Sequence, residues 1–221
     1  MRSKTIIIGI ILLFLLSNFL PNINSSESII KSTIYEYNDI ATIEKKLYKE
    51  DFGETLKFVE PCKILFIGSS YFNFNHLPDL FENLSMSSGQ DVYVDHHGRN
   101  GLYLDDHATS NETESKINEQ NWDYVILQGG GPNTAYPEYF TDHPVYPALE
   151  TLWNKILQNC ESTKIIFCLP WAFEDGMTWY QNWTDTYADM QIKIFENTIL
   201  YSEDIGFGIA PVGWSWYTVL E

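Results

Sequence analysis

Between Lys63 and Leu84 the chain reads KILFIGSSYFNFNHLPDLFENL, an order of residues that few architectures can accommodate. An apolar β-type run from Ile64 to Ile67 breaks at Gly68, and two serines follow. From His76 to Leu84 the apolar positions Leu77, Leu80, Phe81 and Leu84 then take the i, i+3, i+4, i+7 spacing of an amphipathic helix. A strand, a tight glycine turn and a helix in succession put a side chain at the carboxyl end of a sheet, where open α/β folds hold their ligands. Ser70 is therefore the candidate nucleophile. On local grounds alone, Ser69 and Ser70 would serve equally well as caps of the segment that follows.

The rest of the chain repeats this alternation. Gln90–Asp95 alternates as a second strand, followed by a polar turn from His96 to Asn100 and then Gly101. Trp122–Gln128, WDYVILQ, is a continuous apolar run of the kind buried on both faces of a parallel sheet. It is followed at once by GGGPNTAYP. His143 lies in a polar loop before a helix whose apolar stripe is Val145, Leu149, Leu152, Trp153, Ile156 and Leu157. Lys164–Leu169 is a fourth strand, Trp183–Tyr201 a helix and Gly206–Val212 a fifth strand. Strands alternating with helices imply a three-layer α/β/α domain around a five-stranded parallel sheet of flavodoxin-like order, with right-handed crossovers. The glycine turns after the first three strands then converge on one carboxyl edge.

Three stretches together resemble the SGNH hydrolases, or GDSL-type esterases: Gly68-Ser69-Ser70 after a strand, Gly101 with Leu104 and His107, and Gly131-Pro132-Asn133 after the central strand. The resemblance implies an α/β/α hydrolase with Ser70 as nucleophile. The N–H groups of Ser70 and Gly101 and the Asn133 amide would bind the oxyanion of the tetrahedral intermediate. Glycine suits that role because a missing Cβ lets backbone approach a ligand closely. The match has departures. Ser69 stands where the family has Asp or Asn, the spacing from strand to Asn133 is a residue long, and no Asp follows it. Gln128 is thus a competing oxyanion donor. Three consecutive glycines also occur in phosphate loops, but no Gly-Lys-Ser/Thr is present.

The family's last motif, Asp-x-x-His, supplies the general base and its carboxylate after the fifth strand. Here the chain reads PVGWSWYTVLE, and none of His76, His96, His97, His107 and His143 stands in the matching place. A serine hydroxyl without a base is a weak nucleophile at neutral pH. The expectation is a C-terminally incomplete hydrolase or a shortened protein with impaired catalysis. Either His107 or His143 could approach the same edge in its stead. Incomplete packing is expected too, with the aromatic tail Trp214, Trp216 and Tyr217 exposed. In complete form the function implied is an exported serine esterase acting on acetyl or other short acyl esters of a small molecule or carbohydrate. It would need neither a metal nor an organic cofactor. A non-catalytic carbohydrate-binding or cell-surface protein on the same scaffold is the alternative. In the loop WAFEDGMTWYQNWTD, Trp171 and Trp179 are candidates for stacking on sugar rings, against an ordinary role in core or rim packing.

Composition bounds these readings. The chain has 221 residues, 44% of them hydrophobic, enough for one sizeable core and most simply one domain, from residue 62 to 221. A formal charge of -17 argues against a nucleic-acid partner, because phosphate binding needs clustered Lys and Arg. Arg2 and Lys4 precede an apolar run from Thr5 to Leu16, which marks residues 1–25 as an export signal and the protein as secreted or extracytoplasmic. Left uncleaved, this signal would be an anchor and the only membrane attachment expected. Residues 26–61 read as a polar leader with some helix from Thr42 to Lys49. Cys62, Cys160 and Cys168 lack the paired spacings of a zinc site. Cys168 belongs to an apolar run, and Cys62 with Cys160 could bridge in an oxidising compartment.

Overall fold

The computed structural model describes residues 61–74, 76–136, 143–178 and 186–220. The expected signal, nearly all of the leader and Trp179 lie outside the described residues.

Strand β1, Cys62–Gly68, is buried at every position except Lys63. It passes into a single-turn helix, α1 (Ser70–Asn73), and then α2 (Leu77–Ser87), which turns Phe81 toward the sheet. Strand β2 is Val92–Gly98, followed by the short helices α3 (Leu104–Thr109) and α4 (Asn111–Ile117). Strand β3, Tyr124–Leu127, is buried throughout and leads into α5 (Gly131–Ala135) and α6 (Val145–Asn159). Strand β4 (Lys164–Cys168), helix α7 (Tyr187–Ile205), strand β5 (Gly208–Ala210) and helix α8 (Val212–Leu220) complete the described chain.

All strand pairs are parallel, in the order β2-β1-β3-β4-β5, so the flavodoxin-like order is found. Alternation of side chains along the strands builds two cores. Leu65, Ile67, Val125, Leu127, Ile165, Phe167 and Ile209 face one side, where they meet α3, α6 and α7. Ile64, Phe66, Tyr124, Ile126, Ile166, Cys168 and Ala210 face the other, with Phe72 and Phe81 packed on them. The outcome is the expected three-layer domain. Because β1 lies between β2 and β3, the turns that follow these three strands are neighbours along the carboxyl edge.

Several expectations are corrected. Strand β2 runs on through His96 and His97, which pair with Phe66 and Ile67 instead of forming a turn. At the other end of the sheet, β5 is confined to Gly208–Ala210, since Gly206 is the left-handed C-cap of α7. The aromatic tail is not exposed. Helix α8 buries Trp214 completely and Tyr217 nearly so, with Trp214 set 4.6 Å from the Phe195 ring and 4.7 Å from that of Tyr217. Trp216 is partly buried against the second core. The three cysteines are free thiols, with no bridge between Cys62 and Cys160. Burial and the nearby Asp123 carboxylate push the Cys62 thiol up to about 12, so it stays protonated and inert at the start of β1.

Candidate active site

The turn after β1 is held from two sides. Ser69 caps α1, its hydroxyl accepting from the Tyr71 N–H at 3.5 Å. The same hydroxyl donates to Gln128 Oε1 at 3.0 Å, and the Ser69 N–H donates to that oxygen at 3.2 Å. Gln128 stands one residue past the end of β3, only 1% exposed, and its Nε2 donates to the Gly129 carbonyl. Both ends of the Gln128 amide are therefore committed within the protein. It acts as a brace for Ser69 through Oε1, while one of its two Nε2 hydrogens goes to the Gly129 carbonyl. Glycine at position 68 is required sterically: a Cβ there would lie 2.8 Å from the Phe72 ring and 3.0 Å from Gln128 Oε1.

The second hold comes from His107, on α3 and 1% exposed. Its Nε2 lies 3.0 Å from the Gly68 carbonyl oxygen and its Nδ1 lies 2.9 Å from Thr113 Oγ1. A carbonyl can only accept, so Nε2 carries the proton and Nδ1 accepts from the threonine hydroxyl. Burial holds the imidazole below its ordinary pKa, which agrees with this neutral tautomer. With Nε2–H given to the Gly68 carbonyl and the Nδ1 lone pair taken by the Thr113 hydroxyl, neither ring nitrogen is left to accept the Ser70 proton. His107 is thereby excluded as a replacement base.

Ser70 is the first residue of α1 and half-buried. Among the described residues no side chain hydrogen-bonds its hydroxyl. The residues beside it reach both neighbouring turns. Asn73 Nδ2 donates to the Gly98 carbonyl at 3.2 Å and to Asn100 Oδ1 at 3.4 Å, next to Gly101. On the other side, the Tyr71 hydroxyl donates to the Trp171 carbonyl at 3.5 Å. That hydroxyl also lies against Gly131, where a Cβ would sit 3.0 Å from it and 2.7 Å from the Trp171 carbonyl. Asn133 follows two residues later. The three motif positions thus occupy adjacent turns, linked through the residues that flank Ser70.

Gly101 has a φ of 82°, and a Cβ on it would meet open space. Its backbone conformation, and not crowding, demands glycine. Asn133 Nδ2 donates to the His143 carbonyl at 3.3 Å. His143 Nδ1 lies 2.9 Å from Asp105 Oδ2, and its ring stacks on Tyr103 with centroids 3.8 Å apart. Trp171 is half-buried, its ring tilted against Tyr71 at 4.5 Å. Beyond Asn73, a cleft of about 190 Å³ opens between Phe72, His76, Asp79 and His96. The sequence reading did not find the Ser69–Gln128, His107–Gly68 and Asp105–His143 contacts. The visible signals were a glutamine closing an apolar strand and a histidine three residues after Leu104.

No protein-family model matches the chain, and no curated protein matches it in sequence. Solved structures do. The acetyl xylan esterase AlAXEase is 14% identical, with 72% of this chain and 82% of that one covered at a TM-score of 0.50. AlinE4, an SGNH-hydrolase family esterase, is 16% identical over 72% of this chain and 80% of its own at a TM-score of 0.48. TesA is 12% identical over 67% and 77%, at 0.48. These likenesses concern the fold alone, which this chain shares with the acetyl xylan esterase at a TM-score of 0.50.

Proposed function

We propose that the chain is a serine esterase that hydrolyses acetyl or other short acyl esters of a small molecule or carbohydrate. The observation that carries this reading is the doubly held turn, in which Gln128 fixes Ser69 and His107 fixes Gly68 so that Ser70 opens α1 between the turns of Gly101 and Asn133. Ser70 Oγ attacks the acyl carbonyl carbon. Negative charge gathers on the carbonyl oxygen, where the N–H groups of Ser70 and Gly101 and the Asn133 amide receive it. The proton of the Ser70 hydroxyl passes to solvent water. Collapse breaks the bond to the alcohol oxygen, which takes up a proton from water as it leaves, and the acyl-serine that remains is hydrolysed by water to the acid and free Ser70. The reading draws support from the shared fold with an acetyl xylan esterase. The Tyr71–Trp171 pair beside Ser70 offers aromatic surface suited to a sugar ring. Export belongs to the same proposal and rests on the sequence of residues 1–25 alone.

One observation favours a second reading, a carbohydrate-binding protein on a hydrolase scaffold: among the described residues nothing hydrogen-bonds the Ser70 hydroxyl. Turnover of a chromogenic acetate ester separates the two. An esterase loses its turnover in Ser70→Ala, whereas equal rates in the two proteins remove Ser70 from the mechanism.

A further inference from the structure

Helix α3 touches all three turns of the candidate site. It starts three residues after Gly101, its His107 grips the carbonyl of Gly68, and its Asp105 holds the ring of His143, whose own carbonyl receives the Asn133 amide. On the reading of Asn133 as an oxyanion donor, we propose that Asp105 and His143 are positioning residues that set the plane of the Asn133 amide relative to Ser70, with α3 as the common gauge.

The chain of contacts is short and each link constrains the next. Asp105 is in the first turn of α3, and the preceding Leu104 packs where a Cβ on Gly129 would lie 3.2 Å away, so the helix start is seated on the end of β3. Its carboxylate meets His143 Nδ1 at 2.9 Å, which places the proton on Nδ1 as donor. The ring is fixed a second time by its stack on Tyr103, tilted by 14°. Turning the ring would break both the hydrogen bond and the stack. These two contacts anchor the His143 side chain and through it restrain the backbone that bears its carbonyl, to which Asn133 Nδ2 donates at 3.3 Å. An amide nitrogen carries two hydrogens in one plane, so bonding one of them to a fixed carbonyl fixes the direction of the other. Pre-organised donors need no reorganisation as charge develops, and a donor free to swing loses most of that benefit.

The test is a double-mutant cycle on the purified full chain, with kcat and KM for a chromogenic acetate ester and the unfolding midpoint of each variant. Asn133→Ala should lower kcat by about 10²- to 10³-fold, the usual cost of one oxyanion donor. Asp105→Ala should lower kcat by about 10- to 100-fold with KM little changed, because only transition-state stabilisation is lost. In the Asn133→Ala background the same substitution should cost almost nothing further. His143→Asn, which keeps a donor toward Asp105, should retain more activity than His143→Phe, which keeps only the stack. If Asp105→Ala does not fold, the two His143 variants carry the same comparison. A full additional loss from Asp105→Ala on top of Asn133→Ala would overturn the positioning role while leaving the oxyanion reading intact. A loss in His143→Phe as deep as that in Ser70→Ala would also overturn it, since His143 would then act on the reacting atoms. A kcat unaffected by Asn133→Ala would instead remove the oxyanion reading beneath the proposal.

Discussion

The Nε2–H of His107 reaches the carbonyl of Gly68 at 3.0 Å, and this single bond couples α3 to the turn that carries Ser70. Because the ring is buried, its charged form is disfavoured in the folded protein, and so is that of His97, which meets it edge-on at 5.5 Å. The sign of the pH effect follows. Above the unfolded value of about 6.5 both states are neutral and the stabilisation is complete. Below it the unfolded chain takes up protons first, and stability falls until the pH has passed the lowered folded values. Urea midpoints should therefore decline from about pH 7.5 to about pH 5, and less steeply in His107→Gln. An equal slope in both proteins would contradict the neutral, buried assignment.

Gln128 accepts two hydrogen bonds from Ser69 in a site closed to water. Replacing it with Leu leaves a buried N–H and a buried hydroxyl without their acceptor, at about 1–3 kcal/mol each. Gln128→Leu should destabilise by roughly 2–4 kcal/mol in urea, and Ser69→Ala by about 1 kcal/mol, mostly as a lost cap. In the double variant the two effects should fall short of additive, because the pair is in contact. Strict additivity would show that the brace carries no stability.

Gly98 pairs with Gly68 across β1 and β2, and a Cβ on it would run into the Gly68 carbonyl backbone itself. No side-chain rotation relieves such a clash. Gly98→Ala should part the strand ends beside Ser70 and cost more than about 3 kcal/mol, at the upper end for a single substitution. A variant as stable as the parent, measured by thermal unfolding, would place that backbone elsewhere.

Trp214, in the aromatic tail expected to be exposed, is fully buried among Phe195 and Tyr217. Trp214→Ala should cost about 3–5 kcal/mol, the range for deleting a large aromatic from a packed core. Tryptophan emission of the native protein should also lose a blue-shifted component. A cost below about 1 kcal/mol, the level of a surface change, would restore the exposed tail.

The sheet was legible because β1, β3 and β4 are apolar runs punctuated by Gly or Pro. Strand β2 was ended too early. It is an edge strand, and one solvated side tolerates the polar pair His96 and His97, which reads locally as a turn. The tail was misjudged for another reason: α8 sits so close to Pro170 that Gly213 has no room for a Cβ, an approach between distant segments that local pattern does not announce. Ser70, Gly101 and Asn133 follow the carboxyl ends of β1, β2 and β3, where the glycine turns put them. The contacts that hold them join residues 59, 39 and 38 positions apart, as Ser69–Gln128, His107–Gly68 and Asp105–His143 do. Separations of that size are set by strand order, which emerges only once the sheet is assembled.

The central claim is that Ser70 is the nucleophile, and covalent trapping tests it most directly. The full chain is incubated with a fluorophosphonate ester, which phosphonylates an activated serine with loss of fluoride, and the adduct is located by peptide mass spectrometry. With no imidazole on Ser70 among the described residues, labelling should be slow, in line with serine hydrolases that lack their base yet keep about 10³- to 10⁴-fold catalysis over water. The account predicts a single adduct, on Ser70, that disappears in Ser70→Ala and is weakened in Gln128→Leu. An adduct on Ser69 or on any other serine, or one that persists in Ser70→Ala, would contradict it.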